Sequence, residues 1–285
     1  MTSQWALANA LVRFTTGLVH ANLVIATAAT GVAITTITVA SLPFEGLPLA
    51  FVFVATWFAY TANRFTDRAE DRRNLPGRTR FIDRYGRLLL SAGALAYLLL
   101  LVVVARLEPW MLPIAVVPIV AIGIYATGAA GRYFFVKNGF VGATWAAIPL
   151  GLGIYYGRHS DPAVLVAALF MFVLLSTAAA IFDIKDRAGD RSTGTRTAPV
   201  LYGPRRTRQA AIAMLVLLIP SVGLAVLFVR TEFVLFGIYI AYLLIAIPFA
   251  TADRGPLYYG LIIDSEHIVV GALAALLRIG YGGMG

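Results

Sequence analysis

The length of its apolar segments is the feature that most constrains this chain. A helix that crosses the hydrocarbon core of a bilayer needs about 20 mostly apolar residues. Segments of roughly that length occur nine times, at about 17–40, 46–64, 87–105, 109–130, 138–157, 162–182, 209–229, 232–250 and 257–280. Continuous apolar runs favour helices over the alternating strands of a membrane barrel. We therefore expect an all-α fold, an integral membrane bundle of nine transmembrane helices.

The composition supports one transmembrane domain over residues 1–285. Apolar residues make up 60% of the chain and charged residues only 13%, whereas soluble domains average about 25% charged residues. A soluble enzyme, a disordered protein and a nucleic-acid-binding domain are thereby excluded. The sequence has no Cys, and its three His show no zinc-ligand spacing, which argues against a zinc site.

The basic residues are distributed unevenly between the two sides of the predicted bundle. If the N-terminus and the loops after spans 2, 4, 6 and 8 share one side, that side holds 19 of the 23 Lys and Arg residues. The other side holds Arg106, Arg158, Arg230 and Arg278. Because loops rich in Lys and Arg stay in the cytoplasm, we expect a cell-membrane protein whose N-terminus and basic loops are cytoplasmic and whose C-terminus is outside. The net charge of +9 then requires no nucleic-acid partner.

A short acidic repeat lies in two of these basic loops. The string DRAEDR at 67–72 matches DRAGDR at 186–191 at five of six positions, with an offset of 119 residues. The offset corresponds to about four spans. The repeat therefore predicts two four-helix halves followed by a ninth helix.

The repeat places carboxylates at helical spacing. Asp67 and Asp71 are four residues apart, and Asp183, Asp186 and Asp190 follow an i, i+3, i+7 pattern, so on a helix each set shares one face. Mg²⁺ binds carboxylates together with phosphate oxygens, and two such clusters at a cavity mouth could clamp a diphosphate leaving group. The alternative for these residues is a pair of solvated, salt-bridged loops.

The first cluster resembles a signature of the UbiA superfamily of intramembrane prenyltransferases, N-D-x-x-D-x-x-x-D. Asn63, Asp67 and Asp71 are in register with it, and Arg64 stands where the second Asp usually lies. The other motifs of the family are matched by Asp183, Asp186 and Asp190 (D-x-x-D-x-x-x-D), by Arg191, Gly194, Thr197 and Pro199 (R-x-x-G-x-x-T-x-P), and by Tyr133 and Lys137 (Y-x-x-x-K). The resemblance covers essentially the whole chain.

This resemblance implies a nine-helix fold and transfer of an isoprenoid from a prenyl diphosphate to a membrane-embedded lipophilic or aromatic acceptor, with Mg²⁺ as cofactor. The implied metal ligands are Asp67, Asp71, Asp183, Asp186 and Asp190. The implied catalytic residues are Asp67, Asp71, Asp186, Asp190 and Lys137. The expected substrate-binding residues are Asn22, Asn63, Arg64, Arg72, Tyr133, Lys137 and Arg191. Arg64 leaves the number of metal ions open. It could replace metal-mediated phosphate binding with a direct contact to phosphate, or it could disable one metal site.

Several polar residues within or beside the apolar spans are weaker candidates. His20 and Asn22 interrupt the first span, and intramembrane polar groups are functional candidates by default. The segment Asp264–His267 lies inside the ninth predicted span, where it either lines a cavity, with one group accepting a proton from the acceptor, or lies at a wet helix end. The segment 74–87 is expected to form a short turn or lid. Aromatic residues that could steady a carbocation are Phe58, Tyr60, Trp145, Tyr155 and Tyr156.

Other functions remain open at this stage. A membrane terpene cyclase of the same fold would share the diphosphate site. A transporter is a further alternative, because DRAGDR is similar to a loop of major facilitator carriers, although that fold requires twelve spans. A CDP-alcohol phosphotransferase is less consistent with the sequence, which lacks D-G-x-x-A-R. The acceptor, the prenyl chain length and the oligomeric state are not determined by the sequence.

Overall fold

The computed structural model describes residues 2–66, 75–127 and 134–282, and the long elements in these ranges are helices. We number them in chain order: α1 (Thr2–His20), α2 (Leu23–Val39), α3 (Gly46–Thr66), α4 (Pro76–Leu107), α5 (Pro109–Ala126), α6 (Phe134–Tyr155), α7 (Pro162–Thr193), α8 (Ala198–Tyr202), α9 (Pro204–Phe228), α10 (Thr231–Phe249) and α11 (Ser265–Gly282). A six-residue π-helical turn, Tyr258–Ile263, leads into α11. The predicted all-α class is confirmed.

The number of membrane spans is lower than the sequence predicts. Within the described residues, seven helices are long and apolar enough to cross a membrane, or up to eight if the bent pair α1 and α2 forms one span. The predicted span 138–157 corresponds to α6, which is not among these seven helices. The exact count of nine spans is therefore not confirmed.

The chain bends sharply between α1 and α2. Asn22 adopts a left-handed conformation, with φ of 60° and ψ of 18°, which Asn tolerates better than most residues. The direction of the chain changes by 66° between the two helices. The helix that corresponds to the predicted span 17–40 therefore begins later than predicted, at Leu23. The bend places His20, Ala21 and Asn22 in buried positions.

α2 lies at the centre of the bundle and contacts α3, α6 and α11, while α6 packs along α7. Glycines permit the closest of these approaches, because a Cβ added to Gly31 in α2 would lie 2.1 Å from the carbonyl oxygen of His267 in α11. Gly271 faces the backbone of Gly31 in the same interface. Membrane helices commonly use small residues in this way, since close backbone approach increases van der Waals contact.

α4 is longer than the predicted span 87–105. It begins at Pro76 and continues to Leu107 without interruption, so the prediction of a turn or lid over 74–87 is wrong for the described residues of that segment. Proline is favoured at the first position of a helix because its missing N–H has no helical partner there. The exposed Arg80 and Asp83 then allow the helix to continue in a polar environment.

Three polar contacts gather at the end of the bundle where α2 terminates. Arg230 donates to the hydroxyl of Ser41, and Arg278 donates to the carbonyl oxygen of Ile37 at 3.2 Å. The Tyr155 hydroxyl donates to Glu45 at 2.9 Å. The predicted outer end of the bundle is therefore one contiguous region, and the side of the membrane that it faces stays a prediction.

Candidate active site

A cavity of about 230 Å³, which we call the polar chamber, lies between the bend at Asn22 and the helices α3, α6 and α7. The π-helical turn before α11 lines it as well, as do the start of α4 and the end of α5. Among the described residues, eight charged ones line it: Arg64, Arg78, Lys137, Asp183, Lys185, Asp186, Asp190 and Asp264. Within this part of the chain, four cations and four carboxylates therefore face one small space inside a membrane protein.

The C-terminal part of α7 supplies three of these carboxylates from one face. α7 runs as one helix from Pro162 to Thr193, and the spacing of Asp183, Asp186 and Asp190 directs all three toward the polar chamber. Asp183 and Asp190 are buried. Because unpaired carboxylates are costly in such a place, each needs a nearby donor or cation.

Each α7 carboxylate has such a partner. Lys137 of α6 donates to Asp183 Oδ1 at 2.8 Å, and Lys185 pairs with Asp186. The Thr197 hydroxyl donates to Asp190 Oδ2 at 2.9 Å. The first contact joins residues that lie 46 positions apart, and it holds α6 against the acidic face of α7.

The R-x-x-G-x-x-T-x-P segment has a structural explanation. Gly194 ends α7 in a left-handed conformation with φ of 76°, which glycine adopts without steric cost. The chain then turns back so that Thr197 reaches Asp190, and Pro199 lies in the first turn of the short helix α8. The motif therefore fixes the position of the third carboxylate. Arg191, at its start, is exposed and does not line the chamber.

A second cavity, the apolar chamber, adjoins the first. It has a volume of about 470 Å³ and lies among α3, α5 and α6. Most of its lining is aliphatic or aromatic, from residues such as Phe51, Val52 and Ile148. The two chambers share five lining residues, Tyr60, Arg64, Tyr125, Val141 and Trp145, which we call the junction.

The junction is held by hydrogen bonds from polar residues. Trp145 Nε1 donates to the Tyr60 hydroxyl at 3.2 Å. Arg64 Nε donates to Asn22 Oδ1 at 3.4 Å, and Asn22 Nδ2 donates to Thr61 at 3.3 Å. The bend before α2 therefore orients the guanidinium group at the boundary between charged and apolar space.

The predicted site residues fall into four groups. Asn22, Arg64, Lys137, Asp183, Asp186 and Asp190 line the polar chamber. Asn63 lines the apolar chamber, and Arg191 lines neither. The predicted residues outside the described ranges are Asp67, Asp71, Arg72 and Tyr133. Of the aromatic candidates, Tyr60 and Trp145 belong to the junction and Tyr155 lines the apolar chamber, whereas Phe58 stacks on Tyr97 and Tyr156 lines neither cavity.

Sequence reasoning did not select Arg78, Tyr125 or Lys185, which also line the chambers, as site residues. Tyr125 at the junction is a single tyrosine near the end of the apolar α5, and no motif marks it. Lys185 lies between two aspartates of a recognised motif, and its basic charge beside Asp186 was the available signal. Its ammonium group also lies 5.6 Å from the ring centroid of Tyr259, a distance that allows a cation–π interaction.

The polar chamber has features that suit Mg²⁺. Asp183 Oδ2 is buried and has no hydrogen-bond partner among the described residues, so one oxygen of a paired carboxylate is left for a ligand. Among these same residues, no three His, Cys, Asp or Glu side chains converge as a complete metal site.

Comparison with known proteins places the chain in a family. The family model of the UbiA prenyltransferase family matches residues 23–255. The chain belongs to this family and is an integral membrane protein, which confirms the resemblance identified from the motifs.

Individual relatives cover the chain in part. It is 32% identical to digeranylgeranylglyceryl phosphate synthase of Natronomonas pharaonis over 181 residues, which are 61% of this chain and 64% of that protein. It is also 32% identical to the enzyme of that name from Halobacterium salinarum over 158 residues, or 53% and 56% of the two chains. The matched regions therefore span less than two thirds of these relatives.

Solved structures share the fold. A UbiA homologue from Aeropyrum pernix K1 has a TM-score of 0.68 at 16% identity, covering 90% of this chain and 98% of that chain. A UbiA homologue from Archaeoglobus fulgidus, bound to GPP and Mg²⁺, has a TM-score of 0.63 at 16% identity with the same coverage. The helical arrangement described above is therefore that of UbiA proteins.

Proposed function

We propose that this protein transfers a prenyl group from a prenyl diphosphate to a lipophilic acceptor inside the membrane, with Mg²⁺ as cofactor. The observation that carries the proposal is the direct connection of a charged chamber to an apolar one. A prenyl diphosphate has a highly charged head and a long hydrocarbon tail, and the two chambers match these two parts. The bond that breaks in the reaction, between C1 and the diphosphate oxygen, then lies at the junction.

The charged residues divide the work of binding the diphosphate. Arg64, Arg78 and Lys137 offer donors to phosphate oxygens, and charge-assisted hydrogen bonds of this kind are short and strong. The carboxylates of Asp183, Asp186 and Asp190, together with Asp67 and Asp71, would hold Mg²⁺. The bound ion would supply positive charge that makes the diphosphate a better leaving group.

The apolar chamber and the junction protect the reacting carbon. A nascent allylic cation must be kept from water, and the apolar chamber is lined mainly by hydrocarbon side chains. Tyr60 and Trp145 present aromatic rings at the junction, and such rings favour a cation on their faces. Arg64, held by Asn22, keeps its charge directed at the diphosphate.

Among acceptors, a glyceryl phosphate ether lipid is the first to test. The two similar proteins named above are digeranylgeranylglyceryl phosphate synthases, and a GPP-bound UbiA structure shares the fold. A membrane-facing bundle suits an acceptor that carries its own prenyl chain. The orientation with these chambers toward the cytoplasm is part of the proposal and follows from the distribution of Lys and Arg.

The test is Mg²⁺-dependent turnover by the purified protein in nanodiscs. Geranyl, farnesyl and geranylgeranyl diphosphates are supplied with geranylgeranylglyceryl phosphate, and products are identified by mass. Asp186→Asn should abolish turnover. Asp83→Asn is the matched control, because Asp83 is exposed and lines neither chamber, and it should retain wild-type turnover.

The product mass separates this proposal from its alternatives. Addition of the prenyl mass to the acceptor supports transfer, and loss of diphosphate without addition indicates a cyclase. If no prenyl diphosphate binds or reacts with any acceptor in the presence of Mg²⁺, the proposal is wrong.

A further inference from the structure

Asp264 differs from the other carboxylates of the polar chamber in its place in the fold. It lies where the π-helical turn Tyr258–Ile263 meets α11. This part of the chamber lining contains neither of the two acidic motifs. π-Helical turns are uncommon and occur frequently at functional sites. The turn therefore brings into the chamber a buried carboxylate that belongs to neither motif.

The second difference is that Asp264 has no direct partner. The three α7 carboxylates are held by Lys137, Lys185 and Thr197, whereas no hydrogen bond or ion pair to the Asp264 side chain is found within the described ranges. A buried carboxylate without a partner is costly. An ionised carboxylate is only an acceptor of hydrogen bonds, so a ligand that stabilises it must bring a donor.

The surroundings of Asp264 include the junction. Lys185 of α7 and Arg64 of α3 act on it electrostatically, and Asp264 in turn acts on the buried Glu266. Tyr60, which belongs to the junction, experiences the charge of Asp264 as well. Asp264 is therefore close enough to the junction, the place proposed for C1 of the prenyl chain, to interact electrostatically with Tyr60 and Arg64.

We propose that Asp264 accepts the proton of the acceptor hydroxyl group during prenyl transfer, an inference that rests on the function proposed above. In this step the hydroxyl oxygen forms a bond to C1 of the prenyl chain. The bond between C1 and the diphosphate oxygen breaks, and its electron pair leaves with the diphosphate. The hydroxyl proton passes to the carboxylate of Asp264, so that charge and atoms balance.

The experiment compares wild type with Asp264→Asn, Asp264→Glu and Asp253→Asn in nanodiscs. The Asn variant has nearly the same shape, so it removes the proton acceptor without creating a cavity. Asp253 is exposed and lines neither chamber, so its variant controls for loss of a carboxylate near α11. Two acceptors are supplied with geranylgeranyl diphosphate and Mg²⁺: geranylgeranylglyceryl phosphate and its analogue with a thiol in place of the hydroxyl.

General base catalysis contributes roughly 100-fold to 10,000-fold, so Asp264→Asn should lower transfer to the hydroxyl acceptor by about 100-fold or more. A thiol ionises on its own near pH 8.5, so at pH 9 transfer to the thiol analogue should remain within about threefold of wild type. Binding of geranylgeranyl diphosphate with Mg²⁺ should be unchanged, Asp264→Glu should recover part of the rate, and Asp253→Asn should match wild type.

Three results would overturn the inference. Asp264→Asn could transfer to the hydroxyl acceptor at the wild-type rate, or lose hydroxyl and thiol transfer equally, or lose binding of the prenyl diphosphate. The last two results would mean that Asp264 contributes to binding of the prenyl diphosphate or to folding, and not to proton transfer. If wild type itself transfers to neither acceptor, the proposed function fails for this acceptor class and the inference fails with it.

Discussion

The contact between α2 and α11 can be tested by adding a single methyl group. Gly31 packs against the backbone of α11, and the Cβ of an alanine there would lie 2.1 Å from the carbonyl oxygen of His267 and 2.8 Å from its carbonyl carbon. Both atoms belong to the helix backbone, so no side-chain rotation can relieve the overlap. The two helices must therefore move apart.

The size of the effect follows from this overlap. Ordinary contact between non-bonded heavy atoms lies near 3.5 Å, so α2 and α11 must separate by roughly 1 Å or more. Overpacking a tight interior costs about 1–3 kcal/mol, and a clash with rigid backbone belongs at the upper end, at about 3 kcal/mol. For a chain of this size, each kcal/mol lowers Tm by about 2–4 °C, so Gly31→Ala should lower Tm by roughly 6–12 °C.

The assay is thermal unfolding of the purified protein in one detergent, followed by loss of the monodisperse peak in gel filtration. Gly223→Ala is the matched control, because Gly223 is inside α9 and an added Cβ would have nothing within 4 Å. Alanine is preferred over glycine in a helix by up to about 1 kcal/mol, so this control should leave Tm unchanged or raise it by a few degrees. A Gly31→Ala protein that unfolds within 2 °C of wild type would show that α2 and α11 do not pack as described.

Three further predictions concern the two chambers. Lys137→Met leaves the buried Asp183 without the cation that lies 2.8 Å from its carboxylate. We expect the free energy of unfolding to fall by about 3–5 kcal/mol and transfer activity to be lost. The double variant Lys137→Met/Asp183→Asn should regain the wild-type Tm but not the activity. Thr197→Val removes the 2.9 Å hydrogen bond to Asp190, and hydrogen bonds to charged groups are worth about 1.5–3 kcal/mol. The Mg²⁺ concentration that gives half-maximal activity should therefore rise. An unchanged Mg²⁺ titration would contradict the role of Thr197 in positioning Asp190. Gly151→Phe adds a ring to the apolar chamber at a position where a Cβ meets nothing within 4 Å. The value of kcat/KM should fall for geranylgeranyl diphosphate and be retained for the shorter geranyl diphosphate. An equal fall for both substrates would argue against this chamber as the binding site of the prenyl tail.

The sequence predicted the helices well and their ends less well. Apolar runs determine which segments enter the membrane, because transfer of apolar side chains from water depends on composition and length. Composition and length do not determine the backbone conformation of single residues. Asn22 forms the bend between α1 and α2 through a left-handed conformation, and nothing in the surrounding apolar run predicts it. The extension of α4 to Pro76 was also missed, because charged residues suit both a polar helix and a loop.

The acidic positions of the site were likewise predictable, and their contacts were not. The spacing of Asp183, Asp186 and Asp190 requires one helix face, whatever the rest of the chain does. The motif alone predicted that Arg191 binds the substrate. Its exposure depends on the turn at Gly194, which only the tertiary structure shows. For Asp264 the sequence left two interpretations, a cavity wall or a wet helix end, and the burial of its side chain distinguishes them.

The sequence by itself therefore determined that this is a helical membrane protein with carboxylates clustered as in UbiA prenyltransferases. Those properties depend on composition and on spacing along one helix, and both are local. Only the tertiary structure decided that Lys137 pairs with Asp183, that Asn22 holds Arg64 at the junction, and that the charged chamber opens onto the apolar one. Each of these depends on distances between segments far apart in the chain, and helix packing sets those distances.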